Sequence, residues 1–214
     1  MRALPEGVEL VTDVSVAQWV VDGLRSWGRD HVPVTSIVPG GFDAYARIPH
    51  PGQSGGIGDD IPGDQVESLI EALSGFTSTP DSCWLCVWSG YGFWYTRSHA
   101  VMVFGDPDGR VKAEYDRVAR EREQLIDGVP QVETQGREYF LFYGPISAAG
   151  SLVFEIDGSP QSPNLWWPDD RTWCVASEID LPTTYVGGSL ECIERLLDVP
   201  VLNASQTGPD DQAN

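Results

Sequence analysis

The sequence predicts an α+β protein with a mostly antiparallel sheet flanked by amphipathic helices. Short β-branched and aromatic runs alternate irregularly with helical patterns, without the strand-helix-strand rhythm of a parallel sheet. At least one pair of runs, on either side of Gln135-Gly136-Arg137, is close enough to pair as a hairpin. No repeat in the range of about 20–50 residues marks a solenoid or propeller. With 214 residues, 41% of them hydrophobic, the chain carries enough apolar area to offset the conformational entropy of folding. Residues 1–202 are read as one domain, with a two-domain split near Asp106 to Gly109 as the alternative, and residues 203–214 as a disordered polar tail.

The elements follow in order. Asp13 is an N-cap for a helix whose apolar face is Val16, Trp19, Val20, Leu24 and Trp27, stopped at Gly28. Val32 to Val38 is β-branched and reads as a strand begun at Pro33, turned at Pro39-Gly40-Gly41 into a second strand, Phe42 to Ile48. Alternation puts Phe42, Ala44, Ala46 and Ile48 on one face of that strand and Asp43, Tyr45 and Arg47 on the other. Gly52 to Gly63 is a glycine-rich loop, read as a lid or a disordered segment. Asp64 caps a helix with Val66, Leu69, Ile70 and Leu73 on one side.

Cys83 to Trp88 is apolar on both faces, as expected of a strand covered on both sides, and is placed centrally. Val101 to Phe104 is a further strand, with a turn at Asp106 to Gly109. Arg110 to Asp127 is a solvated helix carrying five of the thirteen cations. Val132 to Thr134 and Glu138 to Tyr143 form the hairpin, and Leu152 to Ile156 is either a strand or the continuation of a helix from Ser147. Trp173 to Leu181 reads as a strand, and Ser189 caps a last helix, Leu190 to Leu197.

The formal charge of −19 works against a nucleic-acid backbone or an anionic membrane surface and favours a basic protein partner. Twelve of the thirteen cations are arginine, the bias of a GC-rich genome, where an acidic surface serves solubility. The N-terminus lacks the apolar run of a signal peptide, and no stretch is apolar enough to span a bilayer, so the expected location is the cytoplasm. The four cysteines are read as buried thiols of a reducing compartment. Cys83 and Cys86 would point to opposite faces of a strand, the wrong arrangement for a zinc pair, and no metal or cofactor is expected.

Gly52-Gln53-Ser54-Gly55-Gly56 has the outline of a nucleophile elbow beside His50, but no helix can follow it directly. His31, His50 and His99 have no metal-ligand spacing. Glu178 and Asp180 share a strand face without a third partner. Val186-Gly187-Gly188-Ser189 outlines an anion-binding turn, without the lysine of a phosphate loop, and reads as a helix cap. The candidate binding residues are Trp166, Trp167, Asp169, Asp170 and Arg171, an aromatic and charged turn with the composition of a binding hot spot, together with Arg47 and His50.

FDAYARIPHP (42–51), FTSTPDSCWLCVWSGYG (76–92) and SPNLWWPDDRTWCVASEIDLPTTYVGGS (162–189) resemble blocks shared by a group of actinobacterial proteins with no established activity. The resemblance covers about a third of the chain and implies an origin without implying a reaction.

Two functional expectations follow. The first is a non-enzymatic interaction protein, of the immunity or regulatory kind, that holds a basic protein partner through the acidic and aromatic surface near Trp166 to Arg171 and Glu178. The alternative is a small-molecule-binding protein or enzyme with a tryptophan-lined pocket, using Asp43, Arg47 and His50 as its polar groups.

Overall fold

A computed structural model describes residues 4–29, 31–51, 61–91, 94, 109–152 and 162–214. The expected strand at 101–104, the turn before Gly109, residues 52–60 of the glycine-rich loop read as a lid, residues 153–156 and His99 lie outside them.

Among the described residues nine strands form one sheet: β1 (Glu9–Val11), β2 (Ala44–Pro49), β3 (Cys83–Trp88), β4 (Val132–Glu133), β5 (Glu138–Gly144), β6 (Leu165–Pro168), β7 (Cys174–Ser177), β8 (Thr183–Gly188) and β9 (Ser205–Thr207). Their spatial order is β1-β5-β3-β6-β7-β8-β2-β9, with β4 also on β5, and every pairing is antiparallel. The fold is therefore α+β with an antiparallel sheet, and β3 sits inside it between β5 and β6, as its two apolar faces require.

Helices cover both faces. Alternation sends Leu85, Phe140, Phe142, Trp166, Val175, Val186 and Ile48 to one side, where they pack with α2 (Gly63–Leu73), α4 (Ala148–Ser151), α5 (Leu190–Leu197) and the end of α3 (Arg110–Ile126). Cys86, Leu141, Trp167, Cys174, Ala176, Tyr185 and Tyr45 face the other side, against α1 (Gln18–Gly23) and the short 3-10 turn Val34–Ser36. Gly187 lets the Phe42 ring lie on β8, since a β-carbon there would come within 2.3 Å of Phe42 Cδ2. This also moves Phe42 off the expected Ala44, Ala46 and Ile48 face.

Several elements keep their expected signals. Asp13 accepts from Ser15 N at the start of the helical segment, Ser189 accepts from Cys192 N at the start of α5, and Arg117 pairs with Glu121 on α3. The four cysteines are buried free thiols, with Cys83 and Cys86 in the cores on opposite sides of β3.

Other expectations are corrected: Asp64 lies in the first turn of α2, whose N-cap is Pro62. Val32 to Val38 is no strand, because β8 and β9 occupy both edges of β2; Val34–Ser36 curls into a 3-10 turn and only Pro33 bridges Gln212. The first helix ends at Gly23, which leaves Trp27 beyond it. The strand read from Trp173 to Leu181 stops at Ser177, since Leu181 N bonds Glu178 O in a turn that reverses the chain into β8. The tail from Asn203 is ordered: β9 pairs with β2, and Val34 N, Thr35 N and Tyr185 Oη bond to Asp211, Pro209 and Asn214 carbonyls.

Candidate functional site

Buried polar side chains cost free energy unless partnered, so their location marks where the fold has been shaped by something other than packing. Here they gather at one end of the sheet, where β2, β3 and β7 finish and β5, β6 and β8 begin. His50, Ser89, Asn164, Ser177, Glu178 and Thr184 are all buried there. His50 Nε2 lies 2.8 Å from Thr184 Oγ1, which is 2.6 Å from Ser177 Oγ. Asn164 accepts from Trp88 N at 2.9 Å and from Ser177 N through its carbonyl at 2.7 Å, and its Nδ2 donates to Tyr91 Oη at 2.9 Å.

Arg137 anchors the most charged part of this end. It sits in the turn of the β4–β5 hairpin, and its Nε and Nη2 donate to Glu178 Oε1 at 2.9 and 2.5 Å, while Nη2 also reaches Asp180 Oδ2 at 2.6 Å. Its guanidinium carbon lies 6.0 Å from the Trp27 ring centre and 5.9 Å from that of Trp88, at the outer limit of a cation–π contact. Trp27 is held by Gln135 Oε1, which accepts from its backbone N–H, and by a weak bond from its indole N–H to Ser36 O. Trp88 lies flat on Gly90, where a β-carbon would come within 2.2 Å of the ring.

The cluster opens to the surface. Trp27 is 40% exposed, the side chain of Asp180 is 52% exposed, and Glu133 and Glu138 are exposed on the hairpin. An open cleft of about 490 Å³ runs beside it, lined by Trp88, Ser89, Gly90, Glu133, Arg137 and Glu138 among others.

The Arg137–Glu178 pair is electrostatically lopsided. Burial pushes the Glu178 carboxyl above its ordinary value; the bond and charge of Arg137 pull it down, Asp180 pushes it up, and the net shift is upward. Burial alone would lower Arg137, but the Glu178 hydrogen bond and the two carboxylates outweigh it, so the guanidinium stays charged. Tyr139, beneath the pair, is raised chiefly by burial and next by the Glu178 charge.

The expected turn lies at the opposite end of the sheet and is built into the fold. Trp166 and Trp167 are both buried, 3% and 1% exposed, because consecutive β6 residues face opposite sides. Trp166 meets Trp173 edge to face at 5.3 Å, and Trp167 meets Trp19 at 5.8 Å. Both indoles of this candidate binding turn thus belong to the core. Asp169 accepts from Trp84 Nε1. Asp170 accepts from Thr77 Oγ1, from Ser78 N and Oγ, and from Thr172 N and Oγ1. Arg171 lies over Trp19 at 5.4 Å, with a left-handed backbone φ of 56°.

Arg47 and His50 do come together, at the polar end in a cleft of about 650 Å³. Asp43 does not join them: it precedes β2, near Gly188, with the length of the strand between it and His50. The turn at 169–171 is likewise a sheet's length from His50, since Cys174 pairs with Gly187 while Pro49 pairs with Thr183.

The sequence reading missed Trp27, Trp88 and Arg137 as surface groups. Trp27 was absorbed into a helical face that ends four residues earlier, and Trp88 into a strand whose last ring reaches the rim. The hairpin signal around Gln135-Gly136-Arg137 was the one available pointer.

No protein-family model matches the chain, and comparison with curated proteins and with solved structures finds no similar protein. Among the described residues, no group of three or more histidines, cysteines or acidic residues is placed to hold a metal ion, and no helix is long and apolar enough to cross a membrane.

Proposed function

We propose that the protein is a non-enzymatic interaction protein, of the immunity or regulatory kind, that takes a basic protein partner on the face formed by Trp27, Arg137 and Trp88 with Glu133, Glu138 and Asp180. The observation that carries this reading is the half-exposed Trp27 beside an arginine that buried Glu178 holds in place. Tryptophan and arginine are the residues over-represented where interfaces concentrate their energy, and a preorganised arginine loses little freedom on binding. The carboxylates around it would select a cationic partner, and a chain charge of −19 would speed its approach. Buried free thiols accord with a cytoplasmic location.

The turn at Trp166 to Arg171 offers no aromatic anchor for such a partner, because its two indoles lie in the core. A panel of Lys- and Arg-rich peptides, titrated calorimetrically into wild type and Trp27→Ala, tests the proposal. We expect binding that weakens with salt and falls at least about tenfold in Trp27→Ala. Equal affinity for both proteins would dismiss it.

A further inference from the structure

The cleft past the end of β2 has a chemistry unlike the rest of the chain. It is lined by Arg47, His50, Thr183, Asn203, Ser205 and Asn214 among others, and the Asn214 carbonyl there accepts from Tyr185 Oη. The chain has 32 acidic residues against 13 lysines and arginines, yet among the described residues no acidic side chain lines this cleft.

Arg47 is oriented by the fold. It is the direct cross-strand partner of Ser205, and its Nε donates to Ser205 Oγ at 3.0 Å. That bond orients the exposed guanidinium, and its Nη1 and Nη2 edge carries no hydrogen bond or ion pair among the described residues. Asp211, one carboxylate whose charge is felt by Arg47, is itself engaged by Thr207 Oγ1 and Gly208 N. A further wall is the His50 imidazole, 4% exposed and braced by Thr184 Oγ1.

We propose that this cleft binds a small oxyanion, a carboxylate or a phosphate monoester, with the free edge of Arg47 as its main contact. A planar guanidinium fixed through Nε presents two parallel N–H donors that match two oxygens of such a group. Ser205 Oγ, having accepted from Arg47, still has a proton to donate, and the Thr183 hydroxyl and Asn203 amide add neutral donors around the rim. The site is separate from the Trp27 face and does not depend on its function.

The test is a titration of the full chain with succinate, glycerol 3-phosphate, inorganic phosphate and, as a neutral control, glycerol. Binding is read by calorimetry and by the NMR signal of the Arg47 Nε–Hε group. We expect saturable binding of one oxyanion per chain, with the better of the carboxylate and phosphate arms naming the class. Arg47→Gln should weaken it at least about tenfold, and Arg47→Lys, which keeps the charge but loses the fork, should fall between. Arg25→Gln, on the exposed pair with Asp210, should change nothing. The proposal is overturned if no oxyanion moves the Arg47 signal, if glycerol binds as well, or if folded Arg47→Gln binds with unchanged affinity.

Discussion

Arg137 and Glu178, 41 residues apart in the chain, meet through two hydrogen bonds of 2.9 and 2.5 Å at the end of the sheet, joining the β4–β5 hairpin to the turn between β7 and β8. The glutamate is 6% exposed and the arginine side chain 19%. This pair organises the polar end, because it locks in place the guanidinium that Trp27 and Trp88 flank.

Glu178 has a carboxyl pKa raised above its unfolded value, chiefly by burial. The folded state therefore binds its proton more tightly than the unfolded state, so its contribution is fully present below about pH 4.5 and is lost as pH rises through the elevated value. Thermal melts of wild type and Glu178→Gln across that range should show the wild type losing ground to the variant as pH increases. A difference that stays flat with pH would rule out the burial effect. Arg137→Ala should cost about 3–5 kcal/mol above that range, since it strands a buried carboxylate.

The C-terminal segment carries structure as well as sequence. Ending the chain after Asn203 would remove β9 from the edge of β2 and the carbonyls that Val34, Thr35 and Tyr185 use. A loss of at least about 2 kcal/mol is expected, which in a chain of this size lowers the melting temperature by about 4–8 °C. An unchanged melting temperature would show that the segment is dispensable.

How much was legible in the sequence differs between fold and site. Strand β3, helices α3 and α5, and the β4–β5 hairpin were readable because their local signals agreed with their environment: two apolar faces, i,i+4 ion pairs, a serine cap, a tight turn. Val32 to Val38 misled because β-branched propensity reports fitness for a sheet, whereas the edge it needed was taken by β9, a partner about 170 positions away. The tail misled for the complementary reason, its polarity hiding a role met through backbone bonds. The site was hardest: Trp166 and Trp167 differ from Trp27 and Trp88 only in where the sheet begins and ends, which one-residue alternation decides.

Asp170 is where the opposite end of the sheet is stitched. Burial raises its carboxyl, but the bonds from Ser78, Thr172 and Thr77 outweigh this, and its pKa falls below the usual range. Asp170→Asn should cost about 1–3 kcal/mol at neutral pH. The stability that Asp170 supplies is present above its unfolded value of 3.8 and is lost as pH falls through its lower folded value, so the variant should be less acid-sensitive than wild type. Urea unfolding at pH 7 and at pH 3 compares the two.

The thiols give a check on packing. Burial pushes Cys83 and Cys192 up to about 12 and raises Cys86 and Cys174 as well. A thiol reagent at pH 8 should leave all four unmodified in the native protein and label them together on unfolding. Fast labelling of any one in native conditions would place it outside the core.

The eight tryptophans provide a direct measurement of whether a basic partner is met by the proposed Trp27, Arg137 and Trp88 face. In a proton–nitrogen NMR spectrum of the indole groups, titration with a Lys- and Arg-rich peptide should move the Trp27 and Trp88 signals in proportion to binding. The signals of Trp166, Trp167 and Trp173 should stay in place. Shifts confined to the core indoles, or to Trp19 and Trp84 beside the Asp169–Arg171 turn, would contradict the account.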